Sequence, residues 1–143
     1  MKINTRKFGE IEIDENKILN MPGGLPGFSG YEKFVLLEDP KTAPFCWFQS
    51  INEPNFALIV TNPFLFKPDY QPNLDEFIYS LDWQGISAQK VLIYVVVNVS
   101  KTDGKIKITA NLMGPILINP EKHKAVQVIL SDTSYSHQHN VLE

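Results

Sequence analysis

Along most of the chain, apolar and polar residues alternate in short stretches, the period-two pattern of half-buried strands. Lys2 to Phe8 and Glu10 to Ile13 alternate around a turn at Gly9, and Lys17 to Met21 follows. Further strands are predicted at Phe34 to Leu37, Phe45 to Phe48 and Phe56 to Thr61. Asp39-Pro40, Asn52-Glu53-Pro54 and Asn62-Pro63 punctuate them, because a residue before proline is pushed toward extended geometry. Val91 to Val99 is apolar on both faces until Asn98, which predicts a central strand covered on both sides. Asp103-Gly104 then suits a tight hairpin turn. In the returning strand Ile106, Ile108, Ala110 and Leu112 face one way, and Lys105, Lys107, Thr109 and Asn111 the other. Gly114-Pro115 breaks that strand, Ile116 to Ile118 resumes it and Asn119-Pro120 ends it. Ala125 to Leu130 is the last strand before a polar tail from Ser131.

One segment changes period. Leu74, Phe77, Ile78 and Leu81 fall at i, i+3, i+4 and i+7, a single apolar stripe that predicts a helix over about 73–82. Asn73 is placed to cap it, with Glu76 three residues on as in a capping box and Gly85 as the stop. Asp75 and Glu76 suit the positive helix end. About ten short strands and one helix predict a mostly β fold, a compact antiparallel barrel or a strongly bent sheet. With 143 residues and no internal repeat or linker, residues 1–143 are expected to form one domain.

Composition narrows the function. Apolar residues make up 43% and charged residues 20%, which is globular rather than disordered. The net charge is −3, and of the 13 basic residues only Arg6 is arginine. Arginine is the preferred grip on phosphate and on bases, and the lysines are scattered, so no direct nucleic-acid binding is expected. Cys46 has no cysteine to pair with. The start Met1 to Arg6 has no apolar run, and Val91 to Val97 is too short to cross a membrane. The expected address is the cytoplasm, with no membrane contact.

The search for chemistry finds little. Cys46 sits between Phe45 and Trp47-Phe48, which favours a buried structural thiol over a nucleophile. His137 and His139 lie on one side of an extended segment, but only Asp132 and Glu143 are near in sequence, too thin a set for structural zinc. The loop Pro22 to Gly27 lacks the spacing and the lysine of a phosphate loop. No catalytic residue, metal site or cofactor is assigned. Between Pro68 and Gln89, by contrast, there is no lysine or arginine, while Asp69, Asp75, Glu76 and Asp82 are present with Tyr70, Tyr79 and Trp83. Two readings stand: acids answering the helix dipole over core aromatics, or an acidic, aromatic docking face for a basic partner.

Several runs together resemble one family. They are Gly24-Leu25-Pro26-Gly27-Phe28, Phe48-Gln49-Ser50, Pro68-Asp69-Tyr70, Thr109-Ala110-Asn111-Leu112-Met113-Gly114-Pro115-Ile116, Ile118-Asn119 and Gln127-Val128. In this order and over essentially the whole chain, they resemble FliW, the flagellar assembly factor of bacteria. Tyr135-x-x-Gln138-His139 is similar to the family's closing Tyr-x-x-Arg-His, with Gln138 where the family usually has arginine. That exchange removes a fixed charge and a bidentate donor.

The resemblance implies a cytosolic protein, without catalysis, that binds flagellin. When free, it binds the translational repressor CsrA and relieves repression of flagellin messenger RNA. The two partners exclude each other, so each lowers the other's apparent affinity. A monomer when free is expected. For CsrA, whose RNA-binding surface is basic, the candidate contacts are Pro68, Asp69, Tyr70 and Asp82. For flagellin they are an apolar groove formed by Asn111, Gly114, Pro115 and Ile116 with Gly24, Leu25 and Phe28. The competing reading of Asn111, Gly114 and Pro115 is that they bend the strand to close the barrel. A small-molecule-binding or enzymatic β-barrel with a mouth pocket is the alternative from another class.

Overall fold

The computed structural model describes residues 1–81, 83, 90–131 and 134–141. Its strands are β1 (Lys2–Thr5), β2 (Gly9–Glu12), β3 (Leu19–Asn20), β4 (Lys33–Glu38), β5 (Cys46–Ser50) and β6 (Ala57–Thr61). After the helix α1 (Asp75–Ser80) come β7 (Leu92–Thr102), β8 (Lys105–Ala110), β9 (Ile116–Asn119), β10 (Lys124–Gln127) and β11 (His139–Asn140). The mostly β fold with one helix stands as the patterning predicts.

Seven strands close into a ring. β7, β6, β5, β4 and β3 pair antiparallel in turn, β3 meets β10 in parallel at Asn20 and Lys124, and β10 pairs β9. β9 returns to β7, so no edge of the ring is left open. β8 and β11 carry the sheet outward from β7 as a flap.

The period-two pattern then sorts side chains into an inside and two outer walls. Phe34, Phe48, Val60, Tyr94, Val96, Ile116 and Ile118 fill the barrel, where the rings of Phe34 and Phe48 stack 4.4 Å apart. On the outer face of β4, Val35 and Leu37 are covered by Ile3, Ile11 and Ile13 of the β1–β2 hairpin. On the outer face of β6, β7 and β9, Ile59, Val95, Val97 and Leu117 are covered by Tyr70, Trp83, the α1 stripe, Val128, Leu130, Tyr135 and Val141.

The central strand β7 is therefore apolar on both faces because both are covered, as its sequence predicts, but only as far as Val97. From Asn98 onward the β7–β8 hairpin projects as an exposed arm. Burial along β8 grows from tip to ring instead of alternating: Ile106 is 58% exposed, while Thr109, expected on the polar face, is buried.

Three local expectations are corrected. The helix has six residues, not ten, and Leu74 rather than Asn73 occupies its cap position, without a side-chain cap bond. Asn73 instead accepts a 3.3 Å bond from the Asp75 N–H, one residue too early for a capping box. Its end is closed by the Leu81 N–H to Phe77 O and the Trp83 N–H to Ile78 O; Gly85 lies outside the described residues. The strand expected over Lys17 to Met21 shrinks to two residues, because Asp14 caps a 3-10 turn at Glu15–Lys17.

Candidate partner-binding face

The covered wall over β7 is built from turns. Asn62 accepts from the Phe64 N–H at 2.9 Å and starts a 3-10 turn at Pro63–Leu65, which turns Phe64 and Leu65 outward. Pro68 and Asp69 are the middle residues of the next turn, closed by the Tyr70 N–H to Lys67 O at 3.0 Å. Proline presets the first of those positions. The reversal drives Tyr70 inward: it is 2% exposed, and its hydroxyl donates to Leu112 O at 2.6 Å. Its ring meets Tyr135 edge-on at 4.8 Å, and the Tyr135 hydroxyl accepts from the Gln71 N–H at 2.9 Å. Burial pushes the Tyr70 phenol well above its ordinary range, and Tyr135 adds to this, so the hydroxyl remains a neutral donor.

Leu112 belongs to a bulge. From Ala110 to Ile116 the chain advances six residues (116 − 110), while their β7 partners, Val97 and Tyr94, are three apart (97 − 94). The three extra residues loop out and must satisfy their own backbone. Asn111 accepts from the N–H groups of Met113 (3.1 Å) and Gly114 (3.0 Å), and Gln127 Nε2 donates to Gly114 O at 2.9 Å. A Cβ at Gly114 would lie 3.0 Å from Asn111 Nδ2 and 3.1 Å from Gln127 Nε2, the two side chains that hold the bulge. Pro115 O accepts from the Val128 N–H, and the Leu112 N–H donates to Ser136 O. Residues 68–71 and 111–116 thus lock together here with Val128, Tyr135 and Ser136.

The candidate residues divide by burial. Pro68 and Asp69 are exposed, but Asp69 is 3.4 Å from Lys67, so its charge is partly answered. Asp75 and Glu76 are exposed at the helix start. Of the three aromatics, Tyr70 and Trp83 are core, whereas Tyr79 is 75% exposed. Asp82 lies outside the described residues. Asn111 is half-buried, and Gly114, Pro115 and Ile116 are buried, with Ile116 inside the barrel.

The other loop sits differently. Gly24 has φ +67°, and a Cβ there would collide with the Phe28 carbonyl. Leu25 plugs the barrel interior that Ile116 also lines. Phe28 stands at the surface against Tyr31 and Phe56, at 5.7 and 4.7 Å. The loop and the bulge are brought together through the core; at the surface the loop's neighbours are Tyr31 and Phe56, and those of Gly114 are Gln127 and Ile129.

Sequence reasoning passed over the exposed apolar residues of this wall, Phe64, Leu65 and Ile129. The signal for the first two was an apolar run, Phe64-Leu65-Phe66, directly after a proline turn. Ile129 is exposed between buried Val128 and Leu130, where the strand reading continues.

Cys46 is half-buried on a cavity of about 400 Å³ beside Glu38 and Pro44; burial pushes its thiol up, and Glu38 adds to this, which disfavours the nucleophilic thiolate. Among the described residues no three of His, Cys, Asp and Glu converge as metal ligands, and His139 stacks on Phe66 at 5.9 Å. No described helix is long and apolar enough to cross a membrane.

Ring closure, the flap of β8 and β11, and the two covered walls define a closed, mostly antiparallel β-barrel with an irregular, acidic and apolar outer layer on one side. The family model described as "FliW protein" matches residues 2–141. The Flagellar assembly factor FliW of Alkaliphilus metalliredigens (strain QYMF) is 37% identical over 145 residues, covering 100% of this chain and 87% of that protein. That of Syntrophus aciditrophicus (strain SB) is 38% identical over 144 residues, covering 100% and 89%. A solved structure described as the crystal structure of the flagellar assembly factor FliW superposes with a TM-score of 0.87 at 36% identity, covering 100% of this chain and 98% of that one. The chain belongs to the FliW family.

Proposed function

We propose that this protein is a cytoplasmic flagellar assembly factor that binds flagellin and, when free of it, binds and antagonises the translational repressor CsrA. Full-length agreement with proteins named as flagellar assembly factors carries this reading. The exposed acids Asp75 and Glu76 beside exposed Tyr79 support a basic partner on the α1 side, as CsrA is by virtue of holding RNA. For flagellin, the exposed apolar residues Phe64, Leu65 and Ile129 supply contacts, Ile129 lying next to Gly114 of the bulge. No catalytic role is proposed, since mutually exclusive binding needs none.

The test is a calorimetric titration with purified CsrA, repeated after saturation with flagellin. Binding of about −10 to −12 kcal/mol, the nanomolar range, that vanishes in the presence of flagellin is the expected result. Binding that survives flagellin would overturn mutual exclusion. For the docking face, neutralising Asp69 and Asp82 together should slow CsrA association and flatten its salt dependence. Unchanged kinetics in that folded variant would remove the acidic stretch from the interface.

A further inference from the structure

The outer wall of β5 carries a separate arrangement, remote from α1 in the pairing order. Trp47 and Gln49 are two residues apart and so share that wall. Both line a cavity of about 290 Å³, with Arg6 and Lys7 from the β1–β2 turn and Pro54 and Asn55 from the next loop.

Gln49 is 0% exposed, and its Nε2 donates to three carbonyls: Ser50 at 3.0 Å, Pro54 at 2.9 Å and Phe56 at 3.1 Å. Those bonds fix which end of the amide is which. They leave Oε1 as a buried acceptor without a donor, and Trp47 Nε1–H on the same wall is a buried donor without an acceptor. Such groups are uncommon in folded proteins, and each asks for a reason. Around them, Arg6 and Lys7 are the one adjacent pair of basic residues in the sequence, and no described carboxylate pairs with either. The Lys7 ammonium rests 5.0 Å from the centroid of the Trp47 ring, and Phe8 stands edge-on to the same ring at 5.8 Å. The turn at residues 6–8 thus covers the indole.

A donor and an acceptor on one wall are the complement of one extended residue, whose own N–H and C=O point to the same side of the strand. A simple anion would answer Trp47 and leave Gln49 unmatched. Unpaired cations at the rim add a preference for a neighbouring carboxylate. We propose that this cavity docks an acidic peptide segment. Trp47 Nε1–H donates to the carbonyl, and Gln49 Oε1 accepts from the N–H, of one extended residue of that segment. Arg6 and Lys7 meet an adjacent Asp or Glu side chain, and Lys7 leaves the indole face as the segment enters. The site lies on a different wall from the face assigned above and does not depend on that assignment.

The indole N–H signals of ¹⁵N-labelled protein read this directly, since the chain has two tryptophans and Trp47→Phe identifies which signal is which. The probe is an acetylated, amidated pentapeptide of sequence Gly-Glu-Asp-Glu-Gly, with neither flagellin nor CsrA present. The Trp47 signal should move saturably with the peptide. The Arg6→Ala/Lys7→Ala double variant should bind about tenfold more weakly, the effect of two rim charge pairs. The same peptide with Gln and Asn in place of its acids should weaken comparably on the unaltered protein. A Trp47 signal unmoved at millimolar peptide would overturn the proposal. So would an equal shift with sodium acetate, which would make the cavity a plain anion site.

Discussion

The two outer walls of the barrel are covered in different ways. Over β4, the β1–β2 hairpin satisfies its own backbone through four paired positions and lays Ile3, Ile11 and Ile13 on Val35 and Leu37. Over β6, β7 and β9 the cover is largely turns, a bulge and a tail, whose backbone groups find partners one by one. A hairpin cover needs only shape and hydrophobicity, and volume-conserving swaps leave it standing. An irregular cover needs named polar side chains, because a buried backbone group without a partner is costly. What the irregular wall gains is a surface of defined shape, on which Phe64, Leu65, Tyr79 and Ile129 are held outward. This is the better platform for a partner.

If that contrast is right, the largest loss comes from Tyr70, which spans the irregular cover. Tyr70→Ala removes a buried ring and the donor to Leu112 O, and should cost about 3–5 kcal/mol, as large aromatic truncations do. Urea unfolding followed by tryptophan fluorescence measures it. A loss below that of an aliphatic truncation in the hairpin wall would erase the distinction.

Tyr70→Phe sharpens the comparison by keeping the ring. Leaving the Leu112 carbonyl without its donor should cost about 1–3 kcal/mol at neutral pH. The variant should also respond differently to alkali. The folded phenol is held above its ordinary value of about 10, so it favours the folded state fully below that pH. As pH rises past about 10 the unfolded chain loses this proton and the folded chain keeps it, so stability falls. Tyr94 is shifted the same way, by burial first and then by Cys46 and Glu38. The decline with alkali should therefore become shallower in Tyr70→Phe without disappearing. Identical slopes for the two proteins would mean that Tyr70 is not buried as described.

Ile13→Val tests the other wall. Ile13 is buried under the hairpin, yet losing one methyl from a shape-matched layer should cost only about 0.5–1.5 kcal/mol in the same unfolding measurement. A cost equal to that of Tyr70→Ala would show that both covers are equally exacting.

The sequence made one kind of cover readable and not the other. Strand patterning located β4, β5 and β6, and it placed the Ile93–Val97 part of β7 with both sides apolar. Barrel closure depends partly on one parallel pair, Asn20 with Lys124, which leaves no pattern in either segment. Pro68-Asp69-Tyr70 has no strand or helix period that would place it, and two of its residues are exposed. Nothing local says that the third turns back to reach Leu112, 42 positions away. Likewise Gly114-Pro115 announces a break, but only the register on β7 shows a three-residue bulge. Long-range hydrogen bonds decide the irregular wall, and they are a property of the assembled fold.

The smallest stability effect is expected on the surface that this wall presents. Tyr79 is 75% exposed, while Phe77 and Ile78 on the same short helix pack into the core. Tyr79→Ala should change unfolding free energy by no more than about 0.5 kcal/mol, as exposed substitutions do. At an interface, an exposed tyrosine beside charged residues is the sort of side chain whose truncation costs about 2 kcal/mol or more. A thirtyfold weaker CsrA titration at unchanged stability would therefore place the partner on the α1 face. Unchanged affinity would leave the exposed apolar residues around the bulge, Phe64, Leu65 and Ile129, as the part of the irregular wall still open to a partner. Loss of stability along with affinity would mean that Tyr79 belongs to the cover itself, and the separation between a rigid underlayer and a free outer surface would not hold.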